Sequence, residues 1–130
     1  MPVRRVVIDH LTIGVSDLER SSEFYRRALE PLGFEQRGAW RQGVRGVTFG
    51  PREADDFALS LDYPARAPVH VAFAADRRDQ VDAFYAAALA AGGRDNGAPG
   101  PRPEYSPGYY GAFVLDPDGN NVEAVHHGEA

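Results

Sequence analysis

The chain has no cysteine in its 130 residues, so it can form neither a disulfide framework nor a thiolate metal site, which suits a reducing compartment. No apolar run is long enough to span a bilayer. Met1-Pro2-Val3-Arg4-Arg5 leads into a short apolar stretch closed by Asp9 and His10, without the longer apolar core and small-residue cleavage site of a signal peptide. Basic residues are in deficit, 14 against 19 acidic for a formal charge of -5, which disfavours nucleic acid and anionic membrane surfaces as partners. These absences lead us to expect a soluble, cytoplasmic protein. With 43% hydrophobic residues, the length supports one compact domain or two half-size modules sharing a core.

What the chain does have is an internal repeat. His10-Leu11-Thr12-Ile13 returns sixty positions later as His70-Val71-Ala72-Phe73. At the same offset Phe24-Tyr25 matches Phe84-Tyr85, Ala28-Leu29 matches Ala88-Leu89, and Gly33 matches Gly93. Two copies are too few for a solenoid, so the pattern points to two modules related by a pseudo-twofold axis. We expect a single domain over 1–130, with module 1 at 1–63 and module 2 at 67–130. The connection, Asp62-Tyr63-Pro64-Ala65-Arg66-Ala67-Pro68, holds two prolines that keep it extended.

Each copy reads as β-α-β-β-β. In the first, Val6 to Val15 is a strand, and Ser16-Asp17-Leu18-Glu19 has the form of a capping box. The helix that follows should stop near Glu30, before Pro31. Phe34 to Trp40, Val44 to Phe49 and Phe57 to Tyr63 follow as strands, with Gly50-Pro51-Arg52-Glu53 as a turn. In the second copy, near Ala67 onward, Val69 to Ala74 is a strand and Asp76 caps a helix that closes at Gly92-Gly93. A weak strand lies near Arg94, whereas the proline- and glycine-rich stretch from Asn96 to Gly108 reads as an irregular loop. Tyr109 to Leu115 and Asn121 to His126 are strands around the turn Asp116-Pro117-Asp118-Gly119-Asn120.

Strand alternation sets His10 and His70 on the less bulky faces of their strands, opposite Leu11, Ile13 and Val15 in one copy and Val69, Val71 and Phe73 in the other. Glu123 on the last strand adds a carboxylate. Two imidazoles and one carboxylate make a facial set that leaves coordination positions open for water, substrate or dioxygen. A half-buried, hydrogen-bonded histidine and a solvated edge glutamate explain the same residues one at a time. The repeat is what joins them.

The paired β-α-β-β-β modules, the strand-start histidines and the ending Asp116-Pro117-Asp118-Gly119-Asn120-Asn121-Val122-Glu123 resemble the vicinal oxygen chelate superfamily, and small bacterial glyoxalase-like proteins most of all. That superfamily includes glyoxalase I, extradiol dioxygenases, fosfomycin resistance proteins and the metal-free bleomycin resistance proteins. The resemblance implies an α+β fold in which the two modules form a cupped eight-stranded sheet. It also implies one divalent metal ion (Fe, Mn, Ni, Co or Zn) on His10, His70 and Glu123, and a small substrate that chelates it through vicinal oxygens. The activity implied is of dioxygenase, lyase or isomerase type; the alternative is metal-free binding or sequestration of a small molecule. Related proteins form twofold dimers, so a homodimer is expected. The family's fourth ligand position, matched approximately to Glu123, falls on Leu59, where no donor stands, which puts glyoxalase-type isomerisation in doubt.

Softer candidates remain. Tyr105, Tyr109, Tyr110 and His127 could serve as acid-base residues, and Arg102 could pair with a substrate carboxylate or phosphate. Trp40 and Arg41 are ambiguous, and Phe24-Tyr25 and Phe84-Tyr85 read as helix-to-sheet packing.

Overall fold

The computed structural model describes residues 7–39, 45–52, 54–66 and 68–128. Val6, Trp40, Arg41, Val44, Glu53 and Ala67 lie outside the described residues.

The first module runs β1 (Leu11–Gly14), α1 (Leu18–Leu29), a short 3-10 turn (Glu30–Leu32), β2 (Glu35–Ala39), β3 (Gly46–Gly50) and β4 (Phe57–Ser60). The second runs β5 (His70–Ala74), α2 (Arg78–Ala90), β6 (Arg94–Pro101), β7 (Tyr109–Leu115) and β8 (Asn121–His127). The strands form two four-stranded sheets, ordered β1-β4-β3-β2 and β5-β8-β7-β6. The repeat is therefore structural. In each module the first strand pairs parallel with the last, which places His10 and His70 at equivalent starts.

The hydrophobic core is shared. Phe24, Tyr25, Phe49 and Phe57 from the first module join Phe73, Phe84, Val114 and Val122 from the second in one buried cluster. The rings of Phe57 and Phe73 meet edge to face at 5.2 Å between centroids, a geometry that adds to simple area burial. The repeated Phe-Tyr pairs thus pack as read, although the second differs: Tyr85 is only partly buried and its hydroxyl donates to Asp95.

Three local expectations need correction. Asp17, not Ser16, caps α1, accepting from the Arg20 amide at 3.1 Å. Ser16 instead donates through both its amide and its hydroxyl to Asp118, in the other module. Likewise Asp76 does not cap α2; its amide and that of Arg77 donate to the Gln80 side chain. The third correction is β6, which takes in the first part, Asn96 to Pro101, of the stretch read as loop. An edge strand tolerates Pro99 and Pro101 because one row of its amides has no ladder partner to lose. Register shifts at Gly97 and toward Gly100 absorb the rest.

One turn adds a polar tie between the modules to the shared core. Asp116, almost fully buried, accepts from the Tyr25 hydroxyl of α1 at 2.5 Å, from the Asn120 amide at 2.9 Å and from its side-chain nitrogen at 3.0 Å. Asn120 in turn accepts from the Val69 amide at 2.9 Å, fixing the chain just before His70. Replacing Asp116 with Ala would strand three buried donors, so we expect a loss of about 3 kcal/mol, read as a lower urea midpoint with an unchanged slope. Tyr25→Phe removes one donor and should lose less than half of that.

Candidate functional site

The site is built where β5, β8 and β7 lie side by side. Glu123 pairs with Ala72, two residues along from His70, and with Phe113 on its other side. Its side chain is only 1% exposed, and a bare carboxylate there would be strongly unfavourable without hydrogen-bond partners. Both oxygens have one. His70 Nε2 stands 2.8 Å from Oε1, and the Tyr109 hydroxyl donates to Oε2. Gly111 makes room for this: a Cβ there would lie 3.1 Å from Glu123 Oε2 and 3.2 Å from the Tyr109 ring. Sequence reading missed Gly111, and the signal was its place two residues after Tyr109 in an otherwise bulky strand. Burial, and then the hydrogen bond and charge of Glu123, raise the Tyr109 hydroxyl above the ordinary tyrosine range, so it stays a donor.

The site has an aromatic border. Phe113 lies 6.2 Å from the His70 ring between centroids, and the Arg102 guanidinium sits 5.5 Å over the Phe113 ring. Tyr109 makes edge-to-face contacts with both Tyr105 and His127 at 5.1 Å. His70 itself has a 53% exposed side chain. It lines two cavities along the seam between the facing edge strands β1 and β5. One, of about 330 Å³, includes Thr12, Gly14, Arg66 and Asn120; the other, of about 480 Å³, includes Phe34, Phe57 and Phe73.

His10 is elsewhere. Its Nδ1 pairs with Asp9 at 2.8 Å in an exposed position, and it lines a separate cavity of about 490 Å³ with Thr48, Asp55, Asp56 and Ala58. Among the described residues, no three His, Asp or Glu side chains stand close enough together to hold a metal ion. The structure therefore brings together His70 and Glu123 of the expected set and leaves His10 apart. Within one chain these residues do not fit a three-donor metal centre. His10 precedes the first residue of β1, and its Nδ1 is taken by the neighbouring, exposed Asp9.

The fourth position also moves. In the second module, the residue two along from His70 pairs with Glu123. In the first, the residue two along from His10 is Thr12, which pairs with Ala58. Ala58, beside His10 in its cavity, is thus the counterpart of Glu123, and Leu59 is not. Leu59 is fully buried in the core. The approximate match slipped by one residue, which in a strand reverses the face.

The softer candidates separate. Tyr109 and His127 belong to the cluster, with Tyr105 at its exposed rim. Tyr110 turns to α2, donating to Asp82 at 2.7 Å beneath Arg78. Arg102 spends its terminal nitrogens on the carbonyls of Ala98 and Gly100, so it straps β6 to its own loop.

With this geometry in place, comparison with known proteins identifies the family. The profile of the Glyoxalase/Bleomycin resistance protein/Dioxygenase superfamily matches residues 7–124. The chain belongs to this superfamily. A glyoxalase/bleomycin resistance protein from Albidiferax ferrireducens T118 is 32% identical, with a TM-score of 0.75 over 92% of this chain and 98% of its own. A protein from Agrobacterium tumefaciens described as lactoylglutathione lyase shares the fold at 20% identity, with a TM-score of 0.69 and 95% of each chain covered. So does TnmS3, an antibiotic binding protein from Streptomyces sp. CB03234, at 23% identity and a TM-score of 0.68 over 98% of this chain and 100% of its own. No curated protein matches the chain. No described helix is long and apolar enough to cross a membrane.

Two outcomes follow for this member of the superfamily. Leu59→Glu should destabilise the fold severely by burying an unpaired charge, whereas Ala58→Glu, at a cavity wall beside His10, should be far better tolerated; paired thermal melts decide it. The Tyr25 and Tyr109 hydroxyls are both raised above the ordinary range. Their contribution is therefore complete below about pH 10 and is lost as pH rises further, because the unfolded tyrosines ionise first. Urea midpoints across that interval should fall, and fall less steeply in Tyr109→Phe.

Proposed function

We propose that this superfamily member binds a small organic molecule in the seam between β1 and β5, with His70 as its polar anchor. One observation carries the reading. Glu123 is buried and already hydrogen-bonded on both oxygens, so it holds an exposed imidazole in a fixed orientation at the wall of two cavities. The cavity sizes match small-ligand sites, and an apolar lining with a few fixed polar groups is what such sites use. Among proteins of this fold, TnmS3 is described as an antibiotic binding protein, which accords with a binding role. The lack of cysteine accords with work in the cytoplasm.

A second reading is a metal-dependent enzyme of dioxygenase, lyase or isomerase type. The observation favouring it is that His70 and Glu123, two donors of a facial set, are already neighbours. The third donor, His10, would then come from a second copy of the chain. Val7 and Ile8, 84% and 76% exposed, lead into the edge strand β1 and give such a copy an apolar edge to cover. The divalent ion, of Fe, Mn, Ni, Co or Zn type, would supply Lewis acidity when bound.

Metal analysis of protein purified without chelator, paired with light scattering, separates the readings. On the binding reading, metal is well below one ion per chain and ligand uptake survives chelator. On the enzyme reading, a dimer holds about one ion per chain, and His10→Ala and His70→Ala each abolish it. Mixing those two variants recovers one site per heterodimer only if each site draws on both chains.

A further inference from the structure

Where β6, β7 and the start of β8 meet, a further cavity of about 360 Å³ is lined by Asn96, Gly97, Arg102, Tyr105, Phe113 and Asn121. It shares no lining residue with the two seam cavities, so its occupant is a separate question. We propose that this cavity is a carboxylate subsite, in which Arg102 pairs with a small organic acid whose apolar body lies against Phe113 and Tyr105.

Charge and fixed geometry carry the assignment together. An arginine without a partner at the surface is ordinary, but Arg102 is held in place. Its Nη1 donates to the Gly100 carbonyl at 3.0 Å and reaches that of Pro101 at 3.4 Å, and its Nη2 donates to Ala98 at 2.8 Å. The guanidinium stands 5.5 Å over the Phe113 ring. All of these partners are neutral. Among the described residues no carboxylate pairs with Arg102, and none lines this cavity. In a chain of formal charge -5, the cavity therefore holds an unneutralised cation. A guanidinium has five N–H donors, so three bonds leave two, one on Nε and one on Nη2. A planar carboxylate takes two such hydrogens through its two oxygens.

The strand is shaped to seat this group. Gly97 has a φ of +150°, and a Cβ there would lie 2.9 Å from the Phe113 ring and 3.4 Å from Arg102 Nη2. A Cβ on Gly100 would lie 3.2 Å from Arg102 Nη1. The glycines that weaken β6 as a strand thus leave the guanidinium its place against Phe113. Opposite, Asn96 Nδ2 donates to Asn121 Oδ1 at 3.2 Å, which leaves the Asn121 amide hydrogens as further donors. One arginine matches one negative charge. A phosphate monoester carries about -1.5 to -2 at neutral pH and would leave part of it uncompensated.

The test uses the whole protein at neutral pH, dialysed against chelator and then against plain buffer, so that no probe binds through a metal ion. Benzoate and benzamide, alike in shape and different in charge, are titrated while the Arg102 Nε–H and the Asn96 and Asn121 side-chain amide signals are followed. Benzoate should shift these signals and bind about tenfold more tightly than benzamide, with an advantage that shrinks as salt is raised. Arg102→Gln should abolish that advantage and leave benzamide binding as it was. Because Arg102 also ties down β6, the wild-type ratio alone decides wherever the variant's spectrum shows β6 disturbed. Equal affinities for the two probes, or no shift of these signals with benzoate, overturn the subsite. Tighter binding of phenyl phosphate than of benzoate overturns the carboxylate assignment. Each of these results leaves the seam reading untouched, since Leu11 and Val71 report that site separately.

Discussion

The arrangement rests on the buried Asp116 carboxylate. It draws the Tyr25 hydroxyl from one module and the Asn120 amides from its own turn into one set of bonds. A buried carboxylate is tolerable only when its acceptors are filled, so each of these donors is held in place by the same requirement. Through Asn120 the set reaches the Val69 amide, and through Asp118 in the same turn it reaches Ser16, just after β1. The turn therefore fixes β5 immediately before His70 and β1 immediately after Gly14. Those two strands border the seam.

This gives the Asp116-Pro117-Asp118-Gly119-Asn120 run a structural meaning beside its value as a family mark. Pro117 sets the first corner, Gly119 adopts a φ of +92° that L side chains rarely take, and Asp116 and Asn120 are buried bonding groups while Asp118 bonds Ser16 nearer the surface. Three residues beyond the turn comes Glu123. The same short segment thus holds the modules together and delivers the site's carboxylate to the middle of its sheet, between Ala72 and Phe113.

Much of this was legible in the sequence because periodicity survives without coordinates. The sixty-residue repeat located both histidines, both helices and the equivalence of the modules. The ends of elements and the choice among nearby side chains were not legible. Ser16 was a plausible cap until Asp118, 102 residues away, competed for it. The run Gly97-Ala98-Pro99-Gly100-Pro101 contradicts strand propensity, and it forms an edge strand because β7 beside it supplies the pairing. Leu59 was misplaced by one residue because the position was counted from a remote match, whereas the pairing of Thr12 with Ala58 settles the face. Tyr109 stood among the candidates, but its bond to Glu123 depends on Gly111, whose role is visible only in three dimensions.

The two modules share a frame but not a site, and the difference lies in a few residues. Where the second module has Glu123 facing Phe113, the first has Ala58 facing Thr48. In the second module the carboxylate and the hydroxyl that satisfies it occur together. That pairing is what burial demands, because a carboxylate without its donors, or a hydroxyl without its acceptor, would be left unsatisfied inside the sheet. His10 consequently has no buried carboxylate to orient it and takes Asp9 as a surface partner. The pseudo-twofold axis repeats the strands, while the buried carboxylate and its two bonding partners stand in the half that carries β8.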